Sequence, residues 1–69
     1  MTKYKIINDM KIQGKSLVVL DHEQSVEDMS KSKAVIDGVA YDYLLMHGFG
    51  ESIAIDTLDD LKGKTIHFE

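Results

Sequence analysis

The dipeptide Asp37-Gly38 constrains this chain more than any other feature, because it separates two runs of strand-forming residues. Aspartate followed by glycine suits a type I′ turn, in which both central residues take positive φ. The run Lys33–Ile36 before the dipeptide and residues 39 to about 47 after it read as strands. We therefore predict an antiparallel hairpin here, and with it an all-β fold.

A second hairpin is predicted around the turn at Gln13-Gly14. In residues 4–12 the apolar side chains recur at period two, with an irregularity expected near Asn8-Asp9. Tyr4, Ile6, Met10 and Ile12 are predicted to share one face of this strand, with Asn8 as the interruption. Residues 16–22 form the next strand, and its centre, residues 17–20, is apolar on both faces.

Two short strands are predicted near the end of the chain, at residues 52–56 and 64–69. Their inward positions are Ile53, Ile55, Ile66 and Phe68. Between them, residues 57–63 read as one helical turn, with Thr57 as N-cap, Asp60 completing a capping box and Gly63 ending the turn.

The polar segment 24–33 leaves two folds open. Ser25 and Asp28 have the spacing of a capping box, which predicts one helical turn, and Met29 is expected to hold this loop on the core. The preferred fold is one small barrel-like domain of five or six strands over residues 1–69. The alternative is a small sheet with a helix in residues 24–33 packed across it, although that segment offers few apolar side chains.

Composition narrows the class of protein. The 69 residues include no cysteine, proline or arginine, and 8 lysines face 12 acidic residues, for a net charge of −4. A cysteine-free chain without a long apolar run is expected to be an acidic cytoplasmic protein of bacterial type, with no membrane contact. The absence of arginine weakens a nucleic-acid role, because arginine makes the bidentate contacts to phosphate and guanine.

No catalytic constellation is visible, so we predict neither an enzyme nor a cofactor. The serines lie at turns and strand ends, and Gly-Lys-Thr at residues 63–65 lacks the first glycine of a phosphate-binding loop. The cluster Asp21-His22-Glu23 could contribute metal ligands or transfer a proton. Adjacent residues of a strand point to opposite faces, however, so we predict no metal site and interpret the cluster as a polar strand end.

The predicted contact site is the segment from Leu44 to Phe49. If Tyr41, Tyr43 and Leu45 face inward, then Leu44 and Met46 face outward, and exposed leucine and methionine mark contact surfaces. The partner-binding residues predicted are Leu44, Met46, His47 and Phe49, with Val18 and Leu20 as possible additions. His47 is either a pH-sensitive side chain at the edge of a pocket or a half-buried side chain at the end of a strand. The alternative is that the loop at residues 23–33 and the turn at 57–63 cover both faces of the barrel.

Two functions follow from these patterns. The first is a non-enzymatic module that binds a protein partner or a second copy of itself. In this reading Phe49→Ala weakens association and changes stability by less than about 1 kcal/mol. The second is a nucleic-acid-binding barrel. It would use lysines of the first hairpin and stacking on tyrosines, namely Lys3, Tyr4, Lys5, Lys11, Lys15, Tyr41 and Tyr43.

Overall fold

The computed structural model describes residues 2–46 and 51–69 and contains six strands and one short helix. The elements are β1 (Tyr4–Ile12), β2 (Lys15–Leu20), α1 (Val26–Met29), β3 (Lys33–Ile36), β4 (Val39–Leu45), β5 (Ser52–Ile55) and β6 (Thr65–Phe68). The strands close into an antiparallel barrel in the order β1-β2-β5-β4-β3-β6. The predicted all-β barrel is confirmed, and the alternative of a sheet covered by a helix is wrong, because α1 spans four residues.

Both predicted hairpin turns are confirmed. Gln13 and Gly14 have φ values of 50° and 80°, and Asp37 and Gly38 have 52° and 77°. Positive φ at both central residues is the signature of the type I′ turn, whose twist matches that of the flanking strands. The two turns therefore fix the local pairings of β1 with β2 and of β3 with β4.

The barrel closes because β1 and β4 each belong to two sheets. The beginning of β1 pairs with β6 at Tyr4 and Lys5, whereas its remaining length pairs with β2. In the same way β4 pairs first with β3 and then, from Tyr43 to Leu45, with β5. Among the described residues every strand thus has two neighbours, although residues 8–12 of β1 and 39–42 of β4 pair along one edge only.

The barrel interior is an apolar core to which all of the strands except β4 contribute fully buried side chains. Its members are Tyr4, Ile6, Val18, Leu20, Ala34, Ile36, Ile53, Ile55, Leu61, Ile66 and Phe68. The predicted inward positions of β5 and β6 are confirmed. From β4, Tyr41 and Tyr43 pack against this core while partly exposed.

A β-bulge in β1 overturns one predicted face. The register with β2 shifts between Ile6 and Asn8, next to the irregularity expected at Asn8-Asp9. An extra residue in a strand reverses the alternation that follows it, because side chains alternate at period two. Met10 and Ile12 consequently lie on the outer face, 55% and 44% exposed, and the prediction that they share a face with Tyr4 and Ile6 is wrong.

The connections between strands differ in part from the expected turns. The predicted helical turn is confirmed with Ser25 as its N-cap, since Ser25 Oγ accepts a hydrogen bond from the Asp28 amide at 3.1 Å. The reciprocal half of the capping box is not formed, because the Ser25 amide donates to the Tyr4 hydroxyl. Met29 is 38% exposed, and the loop is held instead by Asp28 through Tyr4. Residues 57–63 form no helix, although Gly63 has the expected positive φ of 87°.

The helix content bears on membrane insertion. Within residues 2–46 and 51–69, the structure has no helix of the length and apolar character that crossing a bilayer requires.

Candidate interaction surface

The outer face of the sheet formed by β1, β2, β5 and β4 carries an apolar row. Met10 lies opposite Leu17, Leu17 opposite Ala54, and Ala54 opposite Leu44. Cross-strand neighbours on one face have Cβ atoms about 5 Å apart, so these four side chains form a continuous line across the sheet. We call Met10, Leu17, Ala54 and Leu44 the apolar row.

Much of this surface is open to solvent. Leu44 is 60% and Met10 is 55% exposed, and Ile12 and Met46 beside the row are 44% and 37% exposed. Isolated exposed apolar side chains are ordinary on protein surfaces, but a contiguous group of them marks a contact site. The apolar row and its two neighbours therefore form the best candidate for a contact site among the described residues.

A shallow groove of about 250 Å³ runs along the apolar row. It is lined by Ile12, Gln13, Lys15, Leu17, Leu44, Met46 and Ala54. Ala54 has the smallest side chain in the row, and larger side chains stand on either side of it on β2 and β4. The groove therefore offers an apolar depression that an inserted side chain could fill.

Two ion pairs border the groove at the β1–β2 turn end of the sheet. Lys15 Nζ lies 3.3 Å from Asp56 Oδ1, and Lys33 bonds to Asp42. The hydrogen bond from Lys33, followed by the attraction of its charge, lowers the pKa of Asp42 below its ordinary value. Each carboxylate at this border is thus paired with a lysine.

The connecting segments lie at the two ends of the barrel and leave this face uncovered in the described ranges. At one end, Tyr4 donates to Asp28 Oδ2 at 2.7 Å and accepts from the Ser25 amide at 2.9 Å, which docks α1. At the other end, Leu61 is buried in the core. The alternative that these segments cover the outer apolar side chains is therefore wrong for Leu44 and Met46, which remain exposed.

The predicted partner-binding residues divide into two groups. Leu44 and Met46 lie on the outer face as expected, and their role in binding stays a prediction. His47 and Phe49 lie outside the described residues. The suggested additions Val18 and Leu20 are wrong, because both are buried in the core.

Sequence reasoning identified Leu44 and missed the other three members of the apolar row. Leu17 and Ala54 alternate with buried neighbours and could have been assigned once the inward positions of β2 and β5 were known. Met10 could not be assigned in that way, because its face depends on the bulge. A polar Asn8 among apolar residues was the signal in the sequence for that irregularity.

The tyrosines of β4 have structural partners. The Tyr43 hydroxyl donates to the Lys31 carbonyl at 2.9 Å, and its ring lies 5.0 Å from that of Phe68. Burial raises the pKa of Tyr43, and the nearby Asp28 carboxylate adds to the increase. This arrangement supports a core role for Tyr43 and counts against its use as a stacking platform for bases.

A polar network closes the barrel beside the segment 57–63. The Asp9 side chain is 7% exposed, accepts from Lys11 Nζ at 2.8 Å and accepts from the Leu61 amide at 2.9 Å. Lys11 also donates to Ser16 Oγ at 2.7 Å. Burial acts to raise the pKa of Asp9, but the Lys11 and Leu61 hydrogen bonds and the Lys11 charge outweigh it and lower that pKa.

The predicted polar strand end at Asp21-His22-Glu23 is held by local contacts. His22 Nδ1 lies 2.7 Å from Asp21 Oδ1, and its ring stacks on Tyr4 at 4.4 Å between centroids. A hydrogen bond from the Lys5 amide, followed by contact with His22, lowers the pKa of Asp21. In the part of the chain that the structure describes, no three histidine, cysteine or acidic side chains converge to hold a metal ion.

A wider cavity of about 530 Å³ lies beside α1. It is lined by Thr2, Ser25, Glu27, Asp28, Lys31, Phe68 and Glu69. Lys31 Nζ approaches Asp28 Oδ1 at 3.9 Å, so part of this polar lining is already paired. Phe68 is the one large apolar residue of this lining, whereas five of the seven residues that line the groove over Ala54 are apolar, and we place the candidate site at the groove.

Comparison of the chain with models of known protein families, with curated proteins and with solved structures found no match. The functional argument therefore depends on the surface itself.

Proposed function

We propose that this protein is a non-enzymatic interaction module that binds a protein partner or a second copy of itself through the apolar row. The observation that carries the proposal is the register that aligns Met10, Leu17, Ala54 and Leu44 across four strands on an exposed face. Such a line of apolar side chains is stabilised when a partner removes it from water.

The closed barrel limits how a partner can bind. A peptide can extend a sheet only where a strand edge is free, and β2 and β5 at the centre of the row are paired along both edges. Binding through the apolar row is therefore a side-chain contact between surfaces. Leu44 and Met10, the most exposed members of the row, are the expected anchors.

Site-specific photo-cross-linking tests this proposal. A photoreactive amino acid replaces Leu44 or Met10 in the full chain, and the adducts formed in the source cells are identified by mass spectrometry. The matched control carries the same group at Thr65, an exposed position of β6 on the other sheet. We expect a discrete protein adduct from the two row positions and none of the same identity from Thr65.

A binding measurement with the identified partner completes the test. Leu44→Lys should weaken association at least about tenfold, because it places a charge in an apolar contact, whereas Thr65→Lys should leave it unchanged. Equal adducts from all three positions, or equal affinities of the two lysine variants, would contradict the proposal.

A further inference from the structure

We infer that the partner is a second copy of this chain, bound face to face so that Leu17 of each copy packs over Ala54 of the other. The inference rests on the proposed function and names the molecule that covers the apolar row. It depends on a property of the register: the residues of β2 and β5 that lie opposite each other on the outer face differ in size or in sign of charge.

The symmetry follows from the strand arrangement. A twofold axis parallel to the strands, placed between β2 and β5, exchanges β2 of one copy with β5 of the other. If two residues lie opposite each other on β2 and β5 within one copy, then in the dimer each of them meets the other residue of that pair in the second copy. Each such contact occurs twice, once on either side of the axis. Leu17 therefore meets Ala54, and a large side chain faces a small one.

The groove provides the space for this contact. Its volume of about 250 Å³ lies over Ala54 and is bordered by Leu17 and Leu44 of the same copy. Leu17 of the other copy enters this depression, and Met10 of each copy lies against Leu44 of the other. The two sheets pack with aligned strands, which is a common geometry for sheet-on-sheet contacts.

One of the two ion pairs at the border, Lys15 with Asp56, is matched under the same symmetry. Lys15 lies opposite Asp56 within one copy, at 3.3 Å, so the axis places Lys15 of each copy near Asp56 of the other. The chain carries a net charge of −4, yet opposite charges meet at this border twice. These two attractive contacts favour a second copy in this register over an acidic partner that places no opposite charge at the border.

The size of the molecule is compatible with such an interface. A standard interface takes about 800 Å² from each partner, and the accessible surface of this chain is 4335 Å². Roughly a fifth of the surface is therefore needed. The face concerned extends over four of the six strands of a molecule measuring 28 × 27 × 19 Å.

Sedimentation of the wild-type chain between about 1 μM and 1 mM measures the association directly. We expect a monomer–dimer equilibrium in this range. Lys15→Glu and Asp56→Lys, each alone, place like charges at both symmetric contacts and should weaken the dimer at least about tenfold.

An equimolar mixture of the two charge variants separates the intermolecular contact from the one within each chain. Mixing leaves the pair within each chain disrupted, but across the interface Glu meets Lys at one contact and Asp56 meets Lys15 at the other. We expect the mixture to regain most of the wild-type affinity as a heterodimer. A wild-type dimer whose variants do not recover on mixing would overturn the proposed register.

A second variant tests the groove without changing charge. Ala54→Leu fills the depression and should abolish the dimer, whereas Ala40→Leu adds the same side chain to an exposed position where β4 pairs with β3 and should leave it intact. Thermal melts confirm that both variants fold.

A wild-type chain that stays monomeric up to about 1 mM overturns the dimer. An adduct from Leu44 to a different protein in the cross-linking experiment would then leave the proposed function standing.

Discussion

At the scale of single residues, the most consequential side chain that sequence patterns did not identify is Asp9. Its carboxylate lies inside the polar network at the end of the barrel, where Lys11 and the Leu61 amide bond to it. The bulge that turns Met10 outward also turns Asp9 and Lys11 toward this end. One irregularity thus creates both the network and part of the apolar row.

We expect Asp9→Asn to lower the free energy of unfolding by about 1–2 kcal/mol at pH 7, because it removes a charge from hydrogen bonds that are charge-assisted. Denaturant melts measure the loss. The control is Asp37→Asn, because the Asp37 side chain is 66% exposed where it pairs with Lys64, and this variant should stay close to wild type. Equal effects of the two substitutions would contradict the structural role of Asp9.

The same residue predicts a dependence on pH. The pKa of Asp9 in the folded protein is lowered from its ordinary value of 3.8. Its contribution to stability is therefore fully present above that value and is lost as the pH falls through the lowered folded-state pKa. We expect the stability difference between wild type and Asp9→Asn to shrink below about pH 3.8. If the difference in unfolding free energy between the two proteins stays constant from about pH 7 to about pH 2.5, protonation of Asp9 is not linked to folding.

Tyr4 connects the core to α1 through its hydroxyl group. Tyr4→Phe leaves Asp28 Oδ2 and the Ser25 amide without that partner, and we expect a loss of about 1–3 kcal/mol in urea melts. Tyr41→Phe is the matched control, since the Tyr41 hydroxyl makes a longer contact of 3.4 Å with Asp59 at the surface. A larger loss from the Tyr41 variant would refute this assignment.

At the scale of elements, the β3–β4 hairpin depends on its turn. A Cβ on Gly38 would meet nothing within 4 Å, so the cost of Gly38→Ala comes from the backbone, which has a φ of 77°. We expect a loss of about 1–2 kcal/mol, measured by thermal or urea unfolding.

Chemical synthesis offers a matched control for that turn. D-alanine at position 38 adds the same methyl group but favours positive φ, so it should recover the stability that L-alanine loses. If both enantiomers destabilised the chain equally, backbone strain would not be the cause.

The elements also show where local patterns were sufficient. The turns at Gln13-Gly14 and Asp37-Gly38 and the Ser25 cap were predicted because each depends on residues a few positions apart. Residues 57–63 had the same kind of signal and yet formed no helix. There Leu61 enters the core and its amide bonds to Asp9, a contact across 52 positions of sequence. A long-range contact therefore decided the conformation of that segment.

At the scale of the whole molecule, the charge distribution argues against nucleic-acid binding. Lys11, Lys15, Lys31, Lys33 and Lys64 each lie within 4 Å of an acidic side chain, and the net charge is −4. Phosphate groups would have to compete with these acidic side chains for the lysines. Binding should therefore be weaker than that of nonspecific nucleic-acid binders, whose dissociation constants reach about 10⁻⁶ M.

We expect no complex with single- or double-stranded DNA or RNA tighter than about 10⁻⁶ M at physiological salt. Fluorescence anisotropy with labelled oligonucleotides measures this, and a known single-strand binder serves as the positive control. Detection of a tighter complex would favour the nucleic-acid alternative over the proposed function.

The sequence by itself determined the strands, the two hairpins and the all-β class, because turn residues with positive φ and period-two patterns act over short distances. For Leu44 and Met46 it predicted an outer face only if Tyr41 and Tyr43 faced inward, and it left open whether loops cover them. Tertiary structure alone decided the strand order, the outward position of Met10 and the alignment of the apolar row. Those features depend on pairing between strands that are distant in sequence, such as β2 with β5, and on a bulge that reverses every face after it.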